Sequence, residues 1–138
     1  MESGMSKEKR NMALMSDIAA YVDGLDELYD VGFYVNGHRY FTDLSLNADK
    51  PRVEVSDGVF MRDEGEYNVA DYVEYCNPDT LTMTFEGPFY ADYNGDVPGR
   101  GYQAEEDMTR IGEKYGLYPQ QGYAWSLTFY EIPERNLK

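Results

Sequence analysis

The chain carries one histidine, His38, and one cysteine, Cys76, so any imidazole base or thiolate–imidazole pair has to be built from these two side chains. His38 follows the tight-turn pair Asn36-Gly37 and reads as an exposed strand residue. Cys76 stands just before Asn77-Pro78, on the apolar side of a predicted short helix, where a thiol packs as an inert small hydrophobe. No G-x-S-x-G, phosphate-binding loop, dinucleotide fingerprint or H-E-x-x-H occurs, which argues against the familiar hydrolase, kinase and zinc chemistries. Carboxylates are the remaining candidates. Asp92, Asn94 and Asp96 offer oxygen at alternate positions, as a calcium-binding EF-hand loop does. Val97 stands where that loop needs glycine and Gln103 where it needs a bidentate Glu, so a tight turn is expected instead. Asp63, Glu64 and Glu66 could hold a cation or act as paired acids, but a run of this kind in a loop is ordinarily solvated. No cofactor and no metal is expected.

What exceeds expectation is charge: 26 Asp and Glu against 12 Lys and Arg give a net charge of -14 on 138 residues, which also include 14 tyrosines. A field of that size attracts basic partners and speeds their encounter. The acids fall in three groups, one beside each predicted helix. The first is Asp23, Asp26, Glu27 and Asp30; the second is Asp63, Glu64, Glu66, Asp71, Glu74 and Asp79; the third is Glu105, Glu106 and Asp107. Tyr21, Tyr29, Tyr67, Tyr72, Tyr75 and Tyr102 accompany them, and tyrosine supplies large amphipathic contact area at low entropic cost. Duplex DNA presents one negative charge per roughly 1.7 Å of axis, so carboxylates arrayed along helices can occupy the phosphate sites of a DNA-binding channel. The bland alternative is an acidic solubilising surface over an ordinary domain.

The elements that position these groups follow from apolar spacing. Leu14, Met15, Ile18, Val22 and Leu25 recur at intervals of three and four, predicting an amphipathic helix from Asn11 to about Gly24 after a frayed lead-in over residues 1–10. Asn36-Gly37 between alternating aromatic and β-branched residues predicts a hairpin with a type I′ turn. Residues 52–55 and 58–61 read as one further strand with a bulge or turn at Asp57-Gly58. Asn68 is expected to cap a short helix running to Cys76. Leu81, Met83 and Phe85 alternate with threonines on a strand, and Phe89 to Tyr93 reads as a second strand after Gly87-Pro88. A third helix is expected over Gln103 to Tyr115. Tyr123, Trp125, Leu127 and Phe129 alternate on one face of a last strand.

The order α-β-β-β-α-β-(β)-α-β predicts an α+β fold: a mainly antiparallel sheet of about five strands with about three helices on one face, forming a single domain over 11–138. Met12 to Ala20 is interrupted by Ser16 and Asp17, no segment is apolar enough to span a bilayer, and an acidic surface is repelled by anionic lipid. A cytoplasmic protein with no membrane partner is therefore expected.

In charge and length, though in no stretch of residues, the chain resembles the small acidic inhibitors of phages and mobile elements, including anti-CRISPR and antirestriction proteins. The resemblance implies a non-enzymatic inhibitor that binds the basic groove of a nucleic-acid-binding protein such as a CRISPR effector nuclease and does not itself bind nucleic acid. Asp23, Asp26, Glu27, Asp30, Asp63, Glu64 and Glu66 are the expected charge contacts, with Tyr29 and Tyr67 as anchors. An interaction or accessory module without mimicry is the alternative, and a carboxylate-dependent enzyme a more distant one.

Overall fold

The computed structural model of the chain describes residues 6–42, 52–55, 58–62 and 66–133. Its centre is an antiparallel sheet of seven strands: β1 (Val31–Val35), β2 (His38–Thr42), β3 (Arg52–Val55), β4 (Gly58–Arg62), β5 (Leu81–Phe85), β6 (Leu117–Gln121) and β7 (Ser126–Glu131). Their spatial order is β3-β4-β2-β1-β5-β7-β6. Helices α1 (Lys7–Gly24), α2 (Pro88–Tyr93) and α3 (Gln103–Glu113) complete an α+β architecture.

Strand alternation decides what each face of the sheet carries. Val31, Phe33 and Val35 of β1 lie opposite Phe85, Met83 and Leu81 of β5, and Met83 lies opposite Leu127 of β7. These residues form one buried apolar face. Leu14, Met15, Ile18, Ala19 and Val22 of α1 cover it, joined by Phe89 and Tyr93 of α2 and by Ala104 and Met108 of α3. Phe85 meets Phe89 edge-on at 5.2 Å between ring centres, which joins the middle of the sheet to the second helix.

Local chemistry explains most element ends. Ser6 caps α1 by accepting from the Lys9 amide at 3.2 Å, so the helix begins at Lys7, within the segment read as a lead-in. Asn36 and Gly37 take φ of 55° and 79°, the pair of positive values that a type I′ turn demands. The turn is also tied down: Asn36 Nδ2 donates to the Glu8 carbonyl and Asn36 Oδ1 accepts from Asn11.

Several expectations are corrected. Residues 52–55 and 58–62 form two antiparallel strands, Val55 pairing with Gly58, where one strand with a bulge or turn at Asp57-Gly58 was expected. The segment Phe89 to Tyr93 is helical, because Pro88 at the first turn has no amide to lose and a preset φ. The helix expected through Cys76 is only a 3₁₀ turn, Val69–Asp71, with Asn68 capping it through the Ala70 amide. Edge strand β6 escaped the sequence reading because its residues Leu-Tyr-Pro-Gln-Gln are largely polar and include Pro119, a residue tolerated at sheet edges.

Gly87 and Gly24 provide a paired test of this packing. A Cβ on Gly87 would stand 2.2 Å from the Tyr29 carbonyl oxygen, backbone that cannot swing away, whereas a Cβ on Gly24 meets nothing within 4 Å. Gly87→Ala is expected to lower the thermal midpoint by several degrees, and Gly24→Ala to leave it unchanged or raise it, its gain being up to about 1 kcal/mol. Thermal melts followed by circular dichroism check both, and equal midpoints would show that the Gly87 backbone yields freely.

Candidate functional site

The sheet face opposite the helices carries Tyr34, Arg39, Phe41, Thr82, Thr84, Ser126 and Thr128. It is crossed by the segment 66–80. Four contacts hold that segment down. The Tyr67 amide donates to the Gly37 carbonyl at 2.8 Å, Thr128 Oγ1 donates to the Tyr75 carbonyl at 2.9 Å, Asn77 Nδ2 donates to the Phe129 carbonyl at 3.2 Å, and the Thr80 hydroxyl reaches that same carbonyl. Val69 and Val73 are buried beneath it. Its tyrosines pack on the sheet: Tyr72 stacks on Tyr34 at 5.9 Å, and Tyr67 meets Tyr34 and Tyr72 edge-on at 6.3 and 5.5 Å. Tyr75 meets Tyr123, which in turn stacks on Trp125 at 4.8 Å.

Beside this crossing the described residues form a cleft of ≈ 310 Å³. Tyr34, Phe41, Tyr72 and Trp125 form its aromatic walls, while Asp30 and Glu86 line it from one end of β1 and β5. Arg39 lies in the cleft with its guanidinium carbon 4.7 Å from the centre of the Phe41 ring. Trp125 was expected within the last strand, on one face with Tyr123, Leu127 and Phe129. It precedes β7 instead, in a turn closed by the Ser126 amide on the Tyr123 carbonyl and the Tyr123 amide on Ser126 Oγ, and that turn directs its ring to the open face.

The expected contact residues divide between settings. Asp26, Asp30 and Tyr29 are exposed at the end of α1 that leads into β1, and Asp23 there is half-buried. Asp26 and Asp30 both have φ of 62°, a conformation that Asp adopts more readily than most residues, so backbone geometry accounts for their type as well as charge does. Glu66 is exposed, and Tyr67 is half-buried in the tyrosine cluster. Asp63 and Glu64 lie outside the described residues. The structure therefore brings Asp30 to the same open face as Tyr67. Sequence reasoning missed Glu86, Tyr34 and Phe41 there, although the alternation of β1 and β2 signals the last two.

Glu27 belongs to the interior. It faces Asp92 of α2, which is fully buried and held by Arg100 through Nη2 at 2.8 Å and Nε at 3.1 Å. Arg100 also reaches the Tyr21 hydroxyl at 3.4 Å, and that hydroxyl donates to Asp107 Oδ2 at 2.7 Å. Gln103 and Arg110 close the chain on Asp107 Oδ1, so this acid of the third group is also internally engaged. Burial, and then the adjoining Asp92 carboxylate, raise the Glu27 carboxyl to about 7, while Arg100 opposes the shift. Glu27 Oε1 is buried with no hydrogen-bond partner among the described residues. A proton resolves this, because two carboxyl groups hydrogen-bond to each other only when one is protonated. Burial and the Asp107 hydrogen bond push the Tyr21 hydroxyl to about 12, and paired Arg100 is raised by Asp92 and Tyr21.

His38 is half-buried in β2, with Nε2 3.4 Å from Arg62 Nη1, and Cys76 is half-buried with its thiol raised by burial. Among the described residues no three His, Cys, Asp or Glu side chains are grouped to hold a metal ion, and no helix is long and apolar enough to cross a membrane. No protein-family model, curated protein or solved structure matches the chain.

The Glu27 proton sets a pH dependence. Its folded value of about 7 lies above the ordinary 4.5, so between these values the folded state holds a proton that the unfolded state has released, and this contribution declines as pH rises through that window. Glu27→Gln keeps the hydrogen bond to Asp92 without titrating. The melting midpoint of the variant relative to wild type should rise from about pH 4.5 and level off above about pH 7. A difference independent of pH would show that Glu27 is ionised throughout.

Proposed function

We propose that this protein is an acidic, non-enzymatic inhibitor that docks its helix-free face on the basic groove of a nucleic-acid-binding protein and keeps nucleic acid out. The observation that supports this reading most directly is the aromatic cleft with Asp30 and Glu86 in its lining, flanked by the exposed Glu66, Asp71 and Glu74 of the crossing segment. Exposed Tyr72 and Tyr75 on the same segment supply the contact area that a charged surface lacks. Carboxylates steer the encounter and the rings hold the complex, a division of labour familiar from charged interfaces.

The net charge of -14 makes nucleic acid itself an unfavourable partner and a phosphate-binding groove a favourable one. A CRISPR effector or restriction nuclease is the target class that best fits this chemistry, which would give the protein a role of anti-CRISPR or antirestriction type for a phage or mobile element and place it in the cytoplasm. The aromatic content of the cleft also favours a second reading, an accessory module bound mainly through its rings, whose complex would persist at high salt.

A titration of such a nuclease with this protein, before and after DNA loading and at low and high salt, tests the proposal. Inhibition should weaken when DNA is loaded first and when salt is raised. Combining Asp30→Asn, Glu66→Gln, Asp71→Asn and Glu74→Gln should slow association about tenfold or more without lowering the melting midpoint. Unchanged association would exclude this face, and salt-resistant binding would favour the accessory module.

A further inference from the structure

We propose that the cleft between Tyr72, Trp125 and the β1–β5 end of the sheet is a receptor for a single arginine side chain of the partner. This rests on the docking reading above and gives it an anchor. Three observations converge on a guanidinium. Tyr34, Phe41, Tyr72 and Trp125 line the cleft, and a planar cation gains most from aromatic rings where water is partly excluded. Asp30 and Glu86 both line the cleft and are adjoined through backbone by the Glu86 amide donating to the Asp30 carbonyl at 3.3 Å, which brings two acidic residues together beside the rings, the residue type that pairs with a forked donor. The cleft already holds one guanidinium: the central carbon of Arg39 stands 4.7 Å from the Phe41 ring centre.

Size and charge point the same way. A volume of ≈ 310 Å³ holds a side chain and part of its backbone rather than a whole helix or strand. Among the described lining residues two are acidic, Asp30 and Glu86, and one is basic, Arg39, within a chain whose overall charge is -14, so an incoming cation is attracted and an anion repelled. Arginine is favoured over lysine because its guanidinium stacks on rings and pairs with carboxylates through the same plane, while an ammonium is a compact, strongly hydrated point. Tyr72 is 57% exposed, so its ring is available as a lid over the bound side chain without any core rearrangement.

Trp125 is the sole tryptophan and lines the cleft, which makes intrinsic fluorescence a local reporter. The probes are the capped peptide acetyl-Gly-Arg-Gly-amide and its citrulline counterpart, which has nearly the same shape and no charge. The arginine peptide should change Trp125 emission saturably, and the citrulline peptide should bind at least about tenfold more weakly. Tyr72→Ala should weaken the arginine peptide about tenfold, as should Asp30→Asn combined with Glu86→Gln; all three positions are solvent-exposed, and Asn tolerates the positive φ of residue 30. Equal binding of the two peptides, a response that survives these substitutions, or no response to the arginine peptide would each overturn the receptor. The nuclease titration is independent of these outcomes: inhibition that persists while the peptide fails to bind leaves docking intact without an arginine anchor, and loss of inhibition with peptide binding intact removes the docking reading alone.

Discussion

A sheet has two faces, and this chain has helices enough for one. Everything else in the structure answers that constraint. Residues of β1, β5 and β7 that alternate toward α1, α2 and α3 are apolar and fully buried, and at about 25 cal/mol per Å² their burial is the principal stabilising term. The opposite face carries threonines, Tyr34 and Arg39 and, among the described residues, is crossed by a nearly helix-free segment pinned by the Tyr67 amide, the Tyr75 carbonyl and the Asn77 and Thr80 side chains. The Thr82 and Thr128 hydroxyls meet beneath it at 3.2 Å, which gives the buried Thr82 hydroxyl a partner. Where the segment stops, the aromatic cleft begins.

The helix layer has a polar spine of its own. Asp92 is fully buried, and a carboxylate taken out of water needs charge and hydrogen bonds in return. Arg100 supplies both, and its second contact, the Tyr21 hydroxyl, extends the network from the α2–α3 connection to α1 and on to Asp107. Lys114 and the Tyr115 hydroxyl both bind Asp17 Oδ2, at 2.7 and 2.6 Å, adding a second bridge between the end of α3 and α1. Acids in this layer therefore serve two ends. Glu105, Glu106 and Glu113 are exposed, whereas Glu27, Asp92 and Asp107 hold helices together. The count of carboxylates overstates the charge that a partner meets.

The three acidic groups read from the sequence accordingly have different physical origins. In the first, Asp26 and Asp30 suit a left-handed backbone and Glu27 turns inward, so proximity along the chain was a poor guide to a common surface. In the second, the described members Glu66, Asp71, Glu74 and Asp79 are exposed on the segment that crosses the open face. Four of the six tyrosines singled out, Tyr29, Tyr72, Tyr75 and Tyr102, are among the exposed large side chains, while Tyr21 is drawn into the ionic network and Tyr67 into the ring cluster. Composition was informative about the kind of surface and uninformative about its location.

The sequence by itself determined the elements whose signals are local. Asn36-Gly37 specified its turn because few other pairs accept two positive φ values, and the periods of α1, β5 and α3 specified their buried sides. The α+β class follows from those elements. Tertiary structure decided the rest. Residues 52–55 and 58–62 became two strands by pairing with each other and with β2, Phe89 to Tyr93 became helix with Phe89 against Phe85, and Pro119 found an edge opposite Phe129. It also decided which charges face water. Glu27 and Glu66 are the same residue type in equally acidic surroundings of sequence, yet folding sets Asp92 beside Glu27, whose carboxyl is raised to about 7, and leaves Glu66 exposed. Charge acts through space, and the distances that govern it are set by the fold.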